Sequence, residues 1–253
     1  MRIAWEVAGG SDVGRLRKGN EDTLRIDADR GIFLVADGMG GHAAGEIASD
    51  LAARVMEDAL VAAVDAGVGA EGLQETLRVA FQHAYAAIVS RCRDSPHTRG
   101  MGTTLTVCLL EPSGLARVGH IGDSRLYRLR GGVLDQITHD HTWVQREVDA
   151  GRLSADAART HPLSHIVTRV LSEDIEPEMD LLAASVAPGD LLLLATDGLY
   201  NMVSDATIAD TLSRDRPLPE LTNTLIDAAN AGGGVDNVTV VVIRILPAPD
   251  SPE

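Results

Sequence analysis

Residues 33–46 read FLVADGMGGHAAGE: four apolar residues, one acid at Asp37, then a glycine-rich break that opens into a helical pattern. Upstream, residues 22–28 and 31–36 have the β-prone composition of a hairpin, with Asp29, Arg30 and Gly31 at its turn. Downstream, Ile47, Leu51, Val55, Ala59 and Ala62 recur at helical spacing, which predicts an amphipathic helix over about residues 42–66. A second helix is expected over residues 71–92, with Leu73, Leu77, Phe81, Tyr85 and Ile88 on its stripe. Strands near 103–110, 115–121 and 124–130 follow, joined by links short enough to require antiparallel pairing. Residues 142–180 differ in character. They predict a polar helix at 142–150, a short one at 154–159 and an acidic irregular stretch, LSEDIEPEMD, set at the edge of the domain. The runs 191–194 and 238–245 are almost continuously apolar, as expected of strands covered on both faces, and between them helices are expected at 204–213 and 218–231. Helices flanking buried, mostly antiparallel strands predict a layered α/β sandwich.

Composition bounds what such a chain does. With 253 residues, 45% of them hydrophobic, it can bury a sizeable core as one domain, and at 3% aromatic content that core must be built from Leu, Val, Ile and Ala. A net charge of -15 argues against nucleic acid. No apolar run approaches the ~18 residues of a membrane helix, and no secretory segment opens the chain. Two cysteines, Cys92 and Cys108, fit a reducing compartment, so a cytoplasmic location is expected.

The pattern of the opening stretch recurs. Asp37 follows FLVA, Asp123 follows ARVGHIG, Asp197 follows LLLLAT and Asp236 precedes NVTVVVI, which sets four carboxylates at the ends of four buried strands. Each Asp taken alone is a common turn residue. Gathered on one rim, they would repel by about 4 kcal/mol per pair at 4 Å and an effective dielectric of 20, unless a cation sat between them. Carboxylate oxygens without a His or Cys cluster suit Mg²⁺ or Mn²⁺. A rival reading, Gly38-x-Gly40-x-x-Ala43 as a dinucleotide fingerprint, fails because Asp37 would face the pyrophosphate. Arg17 by itself reads as a solvated member of the basic run RLRK, and His139-x-His141 is too weak a signal for zinc.

The ordered set SDVGRLRKGNED (11–22), VADGMGGHAAGE (35–46), GMGTTL (100–105), HIGDSRLYRLR (120–130), THDHT (138–142), LLLLATDGLYNMVSD (191–205) and GGGVDNVTVVV (232–242) closely resembles the bacterial branch of the metal-dependent type 2C protein phosphatases, the PPM family. That resemblance implies an α/β (α+β) fold, a four-layer α-β-β-α sandwich of two mainly antiparallel sheets, in a single catalytic domain with residues 142–180 as its flap. It implies hydrolysis of phosphoserine and phosphothreonine in proteins by direct attack of water, with two Mn²⁺ or Mg²⁺ ions and a weaker third. Asp37 would bridge the two core ions, the Gly38 carbonyl would hold the first, and Asp197 and Asp236 the second. Asp123 would hold the third and share Asp197. Glu21 and Asp22 match the acidic pair beside the cluster, and Arg17 the arginine that grips phosphate. Many eukaryotic relatives carry a proton-donating His after the Asp-Gly pair, where this chain has Met39, so His42 becomes the candidate acid. The partners implied are phosphorylated proteins and a bacterial serine/threonine kinase, met by a monomer without nucleic acid or membrane. The alternative is a catalytically weak, metal-binding regulatory module that binds phosphoproteins.

Overall fold

A computed structural model describes residues 2–40 and 44–249. The chain runs through β1 (Ile3–Asp12), β2 (Asp22–Asp27), β3 (Ile32–Met39), α1 (Ala44–Asp65), α2 (Ala70–Asp94), a single 3-10 turn (Pro96–Thr98), β4 (Gly102–Thr103), β5 (Leu105–Glu111), β6 (Leu115–Ile121), β7 (Arg125–Arg130) and β8 (Val133–Gln136). It continues with α3 (Trp143–Asp149), α4 (Ala155–Arg159), β9 (Leu171–Ser172), β10 (Asp180–Ser185), β11 (Leu191–Ala195), α5 (Asp197–Tyr200), α6 (Asp205–Leu212), α7 (Leu218–Ala231) and β12 (Val238–Pro247). One sheet has the order β1-β12-β11-β7-β8; the other runs β10-β6-β5-β3-β4-β9, with β2 also paired to β3. Every strand pair among the described residues is antiparallel.

Period-2 alternation makes the layers. On β3, Ile32, Leu34 and Ala36 pack against α1 and α2, while Phe33 and Val35 face the other sheet. On β11, Leu191, Leu193 and Ala195 pack towards α5, α6 and α7, while Leu192 and Leu194 enter the space between the sheets. On β12, Val238, Val240 and Val242 take the helix side and Val241, Ile243 and Ile245 the inner side. Both faces of these strands are therefore apolar, as their unbroken hydrophobic runs require. The result is helix, sheet, sheet, helix, with one core in each interval.

Several elements differ from the sequence reading. Asp37 does not end its strand, because β3 continues to Met39 and pairs Gly38 with Thr103. Asp197 opens the short helix α5 instead of sitting in an Asp-Gly turn. The sequence reading has no counterpart for β1, whose Gly9 and Gly10 break the apolar pattern. They are glycines for packing reasons: a Cβ at Gly9 would meet Ile26 Cδ1 at 2.7 Å, and one at Gly10 would meet Ile226 Cδ1 at 2.9 Å. Within the acidic stretch, Leu171–Ser172 is a strand on β4, and Asp180 starts β10 against β6.

Candidate active site

Asp22 and Asp37 are directly opposite in the β2–β3 ladder, which sets their carboxylates side by side. The Asp37 backbone is fixed at three points. Its N–H donates to Thr104 Oγ1 at 2.9 Å, and its C=O accepts from Thr104 N and Thr103 Oγ1, each at 2.9 Å. Asp197 begins α5 two residues after β11, and Asp236 lies two residues before β12, which pairs with β11. Asp123 follows β6 on a turn that Gly122 makes with φ 107°. A glycine also lets α1 approach: the Gly38 N–H donates to Glu21 O at 3.1 Å, and a Cβ there would stand 2.1 Å from Gly45 O.

These acids perturb one another. Burial, then the charges of Asp22, Asp197, Asp123 and Asp236, pushes Asp37 well above the usual carboxylate range. Burial and then Asp197 and Asp236 raise Asp22 to about 7, against hydrogen bonds from Thr239 and Thr196 that favour its ionised form. Burial and Asp236 raise Asp197 to about 6, while burial, Asp197 and Asp140 raise Asp123 strongly. Glu21 is raised by burial first, with Asp236 adding to the shift and Arg17 opposing it. Arg17 is half exposed; its guanidinium lies 2.6 Å from Asp236 Oδ2 and 3.8 Å from Glu21 Oε2. The structure thus brings together Arg17, Glu21, Asp22, Asp37, Gly38, Asp123, Asp197 and Asp236. His42 lies outside the described residues.

The donor set fits hard divalent cations. Asp197 Oδ1 is buried and makes no hydrogen bond within the described residues, an expensive state for a carboxylate oxygen without a positive partner. No three acidic, imidazole or thiol groups among the described residues already close on one point. Four Asp charges, those of Asp22, Asp197, Asp123 and Asp236, nonetheless register at Asp37.

Several supporting residues carry no motif that spacing alone reveals. Asn237 Oδ1 accepts from Glu21 N at 2.8 Å, and its Nδ2 donates to Val13 O and Gly19 O at 2.9 and 3.0 Å, tying the Arg17 loop to the start of β12. Thr196 Oγ1 donates to Asp22 Oδ2 at 2.8 Å. Asn201 Nδ2 donates to Asp197 Oδ2 at 3.1 Å, and Tyr200 Oη donates to Asp123 O at 2.9 Å. The signal for the last two was helical spacing after Asp197, which a four-residue helix is too short to display. Of the His139-x-His141 pair, His139 faces outward to Asp149 at 2.8 Å, while buried His141 accepts from Gly122 N–H at 3.1 Å.

The Protein phosphatase 2C family profile matches residues 17–230, and the chain belongs to that family. It is 41% identical over 250 residues to the serine/threonine protein phosphatase PstP of Mycobacterium tuberculosis, an alignment covering 97% of this chain and 46% of that protein. The chain thus spans about half the length of that relative. It is 36% identical over 237 residues to the serine/threonine phosphatase stp of Listeria monocytogenes, covering 92% of this chain and 93% of that one. A crystal structure of the PstP catalytic domain in complex with two manganese ions superposes with a TM-score of 0.84 at 38% identity, covering 96% of this chain and 99% of that one. The four-layer architecture is therefore shared with a manganese-holding member of the family.

Proposed function

We propose that this chain is a single catalytic domain that hydrolyses phosphoserine and phosphothreonine in proteins, using Mn²⁺ or Mg²⁺, and so reverses a bacterial serine/threonine kinase. Asp37, directly opposite Asp22 in the β2–β3 ladder and within electrostatic reach of Asp123, Asp197 and Asp236, carries this reading. Asp37, the Gly38 carbonyl, Asp197 and Asp236 would hold two core cations, and Asp123 with Asp197 a third. When bound, divalent cations supply an acidified water and charge neutralisation for the phosphate.

The chain's own residues do the rest. Arg17 presents a planar guanidinium fork to phosphate oxygens. It is half exposed and already balanced by Asp236 and Glu21. Thr196 and Asn201 orient Asp22 and Asp197, and Asn237 holds the loop that carries Arg17. No nucleophilic cysteine is called for: Cys92 and Cys108 are both buried, and burial pushes the Cys108 thiol up to about 12. The physiological partners are phosphoproteins and their cognate kinase, met by a monomer in the cytoplasm. No helix among the described residues is long and apolar enough to cross a membrane.

The test is release of phosphate from a phosphothreonine peptide and from p-nitrophenyl phosphate, with Mn²⁺ and with chelator. The reading predicts turnover that needs the cation and falls by about 10²-fold or more in Asp37→Asn. Equal turnover with chelator, or an Asp37→Asn enzyme of near-normal rate, would contradict it.

A further inference from the structure

Thr104 lies between β4 and β5, where the strand ladder on β3 is interrupted. β3 pairs Gly38 with Thr103 on one side of it and Val35 with Thr106 on the other, in a single antiparallel register that sets Asp37 opposite Thr104. A regular ladder would exchange two backbone hydrogen bonds across such a pair. Here one of them is made: Thr104 N–H donates to Asp37 O at 2.9 Å. In place of the other, the Asp37 N–H donates to the Thr104 hydroxyl at 2.9 Å, while the Thr104 carbonyl accepts from the Thr103 hydroxyl at 2.8 Å. A side-chain oxygen thus stands in for a main-chain one at this position of the ladder.

The same side chain supports the turn that carries Asp123. Thr104 Oγ1 and Ser124 Oγ share a hydrogen bond at 2.8 Å, and both residues are buried. Gly122 packs so closely that a Cβ there would stand 2.5 Å from Thr104 Cβ and Cγ2. Asp123 is therefore bracketed by two residues that both touch Thr104. Ser124 O is held in turn by the Thr106 hydroxyl at 2.9 Å. A buried hydroxyl with two such partners has little freedom, because moving it leaves the Asp37 N–H or the Ser124 hydroxyl unsatisfied.

We propose that Thr104 is a positioning residue shared by Asp37 and Asp123: its hydroxyl fixes the spacing between the strand that carries the first and the turn that carries the second. The proposal rests on the phosphatase reading above, in which both acids hold cations. Carboxylates swing about their side-chain bonds to meet a cation, but the separation of their backbones is set by what backs them. Groups behind a metal ligand orient it, and removing one typically weakens metal binding by ~10–100-fold. Thr104 acts only through the two acids.

Calorimetric titration with Mn²⁺ alone, without substrate, tests this on Thr104→Val, Thr104→Ser, Ser124→Ala and a control, Thr98→Val. Thr104→Val keeps the side-chain shape and removes the hydroxyl; it should bind the core cations and the weaker third each about tenfold less tightly. Thr104→Ser restores the hydroxyl and should recover most of that affinity. Ser124→Ala leaves the Asp37 bond in place and loosens the Asp123 turn, so it should weaken the third cation and spare the core pair. Buried Thr98 bonds the Arg91 and Ser95 carbonyls instead. Thr98→Val should lower the thermal midpoint in chelator yet bind Mn²⁺ as the wild type does. Wild-type affinity in Thr104→Val, a Thr104→Ser protein as weak as Thr104→Val, or an equal loss in Thr98→Val would overturn the assignment. Where Thr104→Val fails to fold, Ser124→Ala decides: equal weakening of core and third cations, or no weakening, overturns it. A wild type that binds no Mn²⁺ would overturn the phosphatase reading instead, and the assignment with it.

Discussion

Adding one methyl group at Gly38 would place a carbon 2.1 Å from Gly45 O and 2.6 Å from Glu21 O, both backbone atoms that cannot swing aside. Gly38→Ala should therefore cost about 3 kcal/mol or more, at the upper end of overpacking effects. Gly19, with nothing within 4 Å of the added carbon, is the control: Gly19→Ala should stay within about 0.5 kcal/mol of wild type. Chemical denaturation of both variants decides this, and equal midpoints would contradict the close approach of β3, α1 and Glu21. Sequence marks Gly38 as a break in an apolar run, but not why the break must be glycine. That reason is the passage of α1 across the strand, and it exists only once the chain has folded. Asp37, Asp123, Asp197 and Asp236 were legible because each adjoins an apolar run, whereas Glu21 and Asp22 were legible only through the family resemblance. Asn237, Thr196 and Tyr200 were not, because neutral polar residues mark a site only through the partners they meet.

Among elements, the segment leading into α3 is fastened to the turn that carries Asp123. His141 N donates to Gly122 O at 2.8 Å while its ring accepts from Gly122 N–H, and His120 Nε2–H donates to His139 O at 3.1 Å. Burial first, then the facing His141, pushes His120 down to about 4, against Asp140, the His139 carbonyl and Asp180. The Thr106 hydroxyl completes its surroundings at 2.9 Å. An unfolded histidine titrates near 6.5, so between about pH 6.5 and 4 the unfolded chain binds a proton that the native one refuses. Stability from this group is therefore present above that window and lost as pH falls through it, by at most about 3 kcal/mol. His120→Gln should show a shallower loss of urea stability than wild type between pH 6.5 and 4.5, with chelator present in both. Parallel pH profiles would contradict the buried neutral imidazole. Helices such as α1, α2, α6 and α7 were legible from their period, while β1 was hidden by Gly9 and Gly10, whose missing side chains make room for Ile26 and Ile226.

For the whole molecule, the two sheets were legible as runs apolar on both faces, yet which strands neighbour one another was not. Pairing β11 with β12 and β2 with β3 brings together acids that are far apart in sequence, and only the sheet order reveals their distances. The price of that convergence is repulsion, so cations should stabilise the fold. At a hundredfold excess over Kd one binding site adds about 2.7 kcal/mol. At roughly 2–4 °C per kcal/mol, Mn²⁺ should raise the thermal midpoint of the wild type by about 5–10 °C, and Asp37→Asn should lose most of that gain. An equal rise in both proteins would place the ions elsewhere.

Anomalous diffraction at the manganese edge from crystals grown with Mn²⁺ asks directly whether distant carboxylates share cations. Two peaks about 3.5–4 Å apart, both in contact with Asp37, are expected. Peaks confined to the surface, or none touching Asp37, would contradict the account.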